Sequence, residues 1–64
     1  MSIEEITTAA NSLDVSGMTV NERLFCSGLM TEFEKAKKKD KEKARIILEL
    51  LKVDSPSIDM ILKQ

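Results

Sequence analysis

Histidine, tryptophan and tyrosine are absent from this 64-residue chain, and cysteine and proline occur once each. With a single cysteine no intrachain disulfide can form, and without histidine a zinc site would need carboxylates beyond the usual Cys and His set. An imidazole base for a nucleophile is excluded on the same ground. No apolar run approaches the ~18 to 20 residues that span a bilayer, and no basic segment followed by an apolar stretch of signal-peptide length opens the chain. A free cysteine with no export signal points to the cytoplasm, and no membrane partner is expected. Net charge is also nearly missing, at −1. That balance is uneven, because Lys35, Lys37, Lys38, Lys39, Lys41, Lys43 and Arg45 face only Asp40 and Glu42, a local +5 that leaves −6 for the remainder.

What is present is helical patterning. Thr19 and Glu22 fit a capping box, so a helix starts at Val20. At about 100° per residue, Phe25, Cys26, Leu29, Phe33 and Ala36 fall in one arc and define its core face, opposite Arg23, Ser27, Thr31, Glu34, Lys35 and Lys38. Val20 and Leu24 lie off that arc, suggesting a second contact surface, and Gly28 within the helix allows close backbone approach at about 1 kcal/mol relative to alanine. After Asp40, a natural N-cap with Glu42 in the first turn, Ala44, Ile47, Leu48 and Leu51 carry the i, i+3, i+4, i+7 spacing. Ile46 and Leu50 widen that stripe to roughly half the circumference, more than one neighbouring helix covers. This helix is either central to the bundle or buried again in an oligomer. The join Lys37-Lys38-Lys39-Asp40-Lys41 holds no Gly or Pro. A break near Lys39 is expected, since one continuous rod of about 50 Å could not close its own core.

Ser2 and Glu5 make another capping box ahead of Ile3, Ile6, Ala10 and Leu13, and Val15-Ser16-Gly17 reads as a link. Met18 reads as an alternative translation start, and on that reading residues 1–17 are an appendage to a module of residues 18–64. Ser55-Pro56 reads as a cap with proline at the first helical position, leading into Ile58, Ile61 and Leu62. The expected fold is all-α: one domain, a small bundle of four helices at about 3–13, 20–38, 41–52 and 56–63, built on a central antiparallel helical hairpin.

The run Met18-Thr19-Val20-Asn21-Glu22-Arg23-Leu24-Phe25, with Gly28-Leu29, Glu32-Phe33, Ala36, Asp40, Ile47-Leu48, Val53, Asp59 and Ile61-Leu62, resembles a set of short bacterial proteins of unknown function. Those begin at the methionine matching Met18, so the resemblance covers roughly the last three quarters of the chain and leaves the first helix outside it. It implies a small bacterial protein and brings no activity or site with it.

Chemistry is sparse. Cys26, on the core arc with Phe25 and Leu29, reads as a packing cysteine rather than a nucleophile. Glu22 with Glu32, and Glu34 with Asp40, are possible carboxylate pairs, but a cap and solvated helix faces explain them, and so short a bundle has little room for a catalytic pocket. No catalytic residue, cofactor or metal is assigned. The basic segment Lys35, Lys37, Lys38, Lys39, Lys41, Lys43 and Arg45 is a candidate phosphate contact. Against it stand the lack of an aromatic for stacking, the lack of an Arg cluster and the acidic remainder. Of the four methionines, Met1 and Met18 read as translation starts, Met30 and Met60 as gap-fillers. Chains this short sit where one core is marginally stabilising, and oligomerisation is the remaining staple. Val20, Leu24, Ile46 and Leu50 are the candidate protein-contact surface. The reading is a non-catalytic accessory or regulatory protein acting by protein–protein contact as a homodimer. The alternative is a nucleic-acid-associated protein.

Overall fold

The computed structural model describes residues 1–63, which form five helices: α1 (Ile3–Asn11), α2 (Val20–Ser27), α3 (Met30–Lys39), α4 (Lys41–Leu50) and α5 (Ser55–Lys63). The two capping boxes form as expected. Ser2 Oγ accepts from the Glu5 N–H and Thr19 Oγ1 from the Glu22 N–H, both at 3.2 Å, while each glutamate reaches back to its cap's own N–H at 2.9 Å. Those backbone hydrogen bonds hold the Glu5 and Glu22 carboxyls below their ordinary value of 4.5.

The expected helix over 20–38 is two helices, so the bundle has five members instead of four. Gly28 sits in the left-handed region at φ 77°, and the Leu29 N–H donates to the Leu24 carbonyl at 3.1 Å. This is the 6→1 bond of a Schellman ending, with Leu24 and Leu29 as its buried apolar pair. Gly28 is therefore a helix stop. A Cβ placed on it would meet nothing within 4 Å, so the glycine serves backbone conformation and not close approach.

The break changes which residues are inside. With α2 ending at Gly28, its phase is no longer tied to Phe33 and Ala36, and it turns Leu24 inward to 2% exposure and Phe25 outward to 77%. The expected core positions of Phe25 and Cys26 are thus corrected: both are exposed. The chain breaks again at Asp40, whose extended backbone (φ −151°, ψ 88°) separates α3 from α4 and whose carboxylate accepts from the Lys43 N–H at 3.3 Å. This excludes the continuous rod. Helices α3 and α4 pack on each other, and Lys43 Nζ reaches Glu32 Oε2 at 3.5 Å across the pair.

Helix α4 touches α1, α3 and α5, which accounts for its wide apolar arc. Ala44, Ile47, Leu48 and Leu51 are fully buried at the centre of one core, joined by Ile6 and Ala10 from α1, Leu24 from α2, Leu29 from the turn after it, Phe33 and Ala36 from α3, and Ile58 and Leu62 from α5. Among the described residues every buried side chain is apolar and no buried side-chain polar atom lacks a partner.

Helix α4 ends in a second Schellman turn, with the Val53 N–H donating to Leu48 O at 3.0 Å and the Lys52 N–H to Glu49 O at 2.9 Å. The left-handed position here is Lys52, at φ 64°. An L-residue pays about 1–2 kcal/mol for that conformation, so Lys52→Gly is expected to stabilise the fold by about 1 kcal/mol net of glycine's greater unfolded freedom. In a domain this size the melting temperature should rise by about 4–8 °C, and an unchanged value would mean the lysine side chain contributes contacts of its own. The following helix opens one residue earlier than expected: Asp54 caps it, accepting from the Ser57 N–H at 3.1 Å, and Ser55 is its first residue. The Ser57 hydroxyl and N–H also hold the Asp54 carboxyl below its ordinary 3.8.

Candidate functional site

Three helices present side chains at helical spacing to a common trough. From α3 come Met30, Phe33, Glu34 and Lys37, the i, i+3, i+4, i+7 stripe; from α2 come Val20, Asn21 and Leu24; from α5 come Ser57, Met60 and Ile61. Together with Thr19 they enclose a groove of about 600 Å³. Its floor is the buried pair Leu24 and Phe33; Val20, Met30 and Ile61 are half-buried on its sides, and Met60 stands at the mouth with 68% exposure. The apolar strip is edged by Glu34 and Lys37 on α3 and by the Thr19, Asn21 and Ser57 side chains.

The groove accounts for part of the contact surface expected from sequence and redistributes the rest. Val20 lines it and Leu24 is its floor. Ile46 is elsewhere, in a smaller cavity of about 350 Å³ with Met1, Ile3 and Lys43, and Leu50 is half-buried against the core. Val20, Leu24, Ile46 and Leu50 therefore do not make one surface, and Leu24 is a core residue. Sequence reasoning missed Met30, Phe33, Met60 and Ile61 as partners. Phe33 and Ile61 read as core-stripe residues and Met30 and Met60 as gap-fillers, and which of them face one another depends on the turn at Gly28.

The basic segment is divided by the fold. Lys41 Nζ donates to the Leu62 carbonyl at 3.1 Å, at the end of α5; Lys43 Nζ meets Glu32 and donates to the Met1 carbonyl at 3.3 Å; Arg45 Nη2 pairs with Asp59 Oδ1 at 2.6 Å. Among the described residues Lys35, Lys37, Lys38 and Lys39 make no ion pair, and all four lie in the second half of α3, where cations complement the negative end of the helix dipole. Three of the four candidate carboxylates are likewise engaged locally, Glu22 by the Thr19 N–H, Glu32 by Lys43 and Asp40 by its capping bond, and Glu34 is exposed. No group of three or more Cys, Asp or Glu side chains is gathered to hold a metal, and no helix is long and apolar enough to cross a membrane, among the described residues.

Comparison with protein-family models, curated proteins and solved structures finds no match.

Proposed function

We propose that the chain is a non-catalytic, cytoplasmic accessory or regulatory protein of a bacterium that works by seating another polypeptide in the α2–α3–α5 groove. The observation that carries this reading is the open apolar strip of Val20, Met30, Met60 and Ile61 above the Leu24–Phe33 floor. A concave, mainly apolar cleft with a few polar groups at its edge has the general form of a binding site, and two methionines give it a lining that adapts to a partner's side chains. A trough walled by three helices also fits the helix-in-groove mode, in which apolar anchors of the guest follow helical spacing. Phosphate contact through the lysine segment is the less favoured reading, because Lys41, Lys43 and Arg45 already have partners within the fold.

The test places a photo-crosslinking residue at Met60, exposed at the groove mouth, and in a second variant at Glu4, exposed on α1. In living cells the Met60 position is expected to give a discrete higher-mass adduct that the Glu4 position does not. Equal yields at the two positions, or none at either, would remove the groove as the working surface.

A further inference from the structure

We infer that the groove's occupant is a second copy of this chain, related by a two-fold axis, with Phe25 of each copy seated in the groove of the other. This rests on the groove being the contact site and names its partner.

The first support is a protrusion beside a cavity. Phe25, at 77% exposure, is the most exposed large apolar side chain in the described structure, and the groove lies along the same helix. Asn21 lines the groove, and Phe25 is its i+4 neighbour, one turn further along α2 on the same stripe. A two-fold contact brings the same patch of both copies together, so a patch that carries both a projection and a recess is self-complementary. A lone apolar groove would not say what fills it; a phenylalanine one turn from its wall does.

Charge supports the same geometry. Glu34 and Lys37 edge the groove one turn apart on α3, and neither has an ion-pair partner among the described residues. A two-fold axis passing between their positions would set the glutamate of one copy against the lysine of the other, twice over. An edge of one sign would instead repel its own copy.

The surface available is sufficient for a dimer contact. The chain exposes 4329 Å², and the ~800 Å² per partner of a standard interface would take about a fifth of that. A contact of one groove and one flanking phenylalanine has few anchoring side chains, and anchors set affinity more than area does, so the dimer is expected to be a micromolar one.

Sedimentation of the full chain from about 1 µM to about 1 mM, a range that brackets such a constant, tests this directly. The mass should rise from 7.2 kDa towards twice that value. Phe25→Ala and Met60→Lys, both at exposed positions, should each weaken association by at least roughly 100-fold with helicity unchanged, since symmetry counts each lost contact twice. Glu34→Lys alone and Lys37→Glu alone should each weaken it, and the double exchange should restore it. A chain that stays monomeric throughout overturns the second copy as occupant, as does a dimer indifferent to Phe25→Ala or unrestored by the double exchange. The crosslink at position 60 separates this failure from that of the groove itself: an adduct with a different protein keeps the groove and removes the dimer, whereas no adduct removes both.

Discussion

Leu24→Ala is expected to cost about 2–5 kcal/mol, the range for truncating a buried leucine to leave a cavity, while Phe25→Ala costs less than about 0.5 kcal/mol, as for other exposed positions. The two residues are adjacent, and the larger aromatic is the dispensable one. Leu24 is 2% exposed and occupies three roles at once: a core contact, the carbonyl acceptor of the Gly28 turn with its Leu29 partner, and the floor of the groove. Phe25 is 77% exposed. A domain of this length has a total stability of roughly 5 kcal/mol, so the leucine change should remove most of it and lower the melting temperature by at least about 10 °C. Far-UV circular dichroism melts with both changes made in a Met60→Lys background, which removes the self-association inferred above, make the comparison. Equal losses, or a larger loss at Phe25, would mean that α2 is rotated from the orientation described.

That pair also marks where the sequence stops being legible. Features closed within four residues were readable: the Ser2–Glu5 and Thr19–Glu22 boxes and the Asp40 cap all form, because donor and acceptor are fixed by local spacing. The core stripe of α4 was readable for the same reason, its wide arc being answered by three neighbours. Gly28 was not, because a glycine after two helical turns is compatible both with a tolerated interior residue and with a left-handed stop. What decides between them is whether the apolar residues four before and one after can close on each other, as Leu24 and Leu29 do. Taking the helix through Gly28 kept a single phase from Val20 to Lys38 and turned Phe25 and Cys26 inward. The groove was lost with it, since its walls come from three helices whose relative placement is set by that turn.

The other turn of the same kind, at Lys52, had no glycine to announce it, yet it shares the rule. Leu48 and Val53 are both buried, and the bond between Val53 N–H and Leu48 O closes over them. In both places the apolar pair across the turn is a stronger marker of the helix end than the identity of the left-handed residue. A marker of this type spans six residues and is within reach of the sequence alone; the packing of α2 on α3, and the meeting of both with α5 around the groove, is not.

Arg23→Met is expected to cost about 2–3 kcal/mol, the largest effect of any single change outside the core. Its guanidinium donates from Nη1 to the Leu51 and Lys52 carbonyls and from Nε to the Met18 carbonyl, each at 3.1 Å. Leu51 is the C-cap of α4, so its carbonyl is among the acceptors a helix leaves without internal partners, Lys52 follows it in the turn, and the positive charge sits at the negative end of the dipole. Helix α2 packs directly on α3, and this fork is its hydrogen-bonded tie to the end of α4. Charged hydrogen bonds contribute about 1.5–3 kcal/mol each when buried, and the half-exposed setting lets water recover part of that. Methionine keeps the apolar stem and removes only the donors, so the loss reports on the fork itself. Arg23→Lys should recover less than half, because one ammonium is a point charge that cannot hold three carbonyls in the planar arrangement. A lysine variant that melts with the parent chain would reduce the role of Arg23 to its charge, and the tie between α2 and α4 would then be electrostatic and should weaken with added salt.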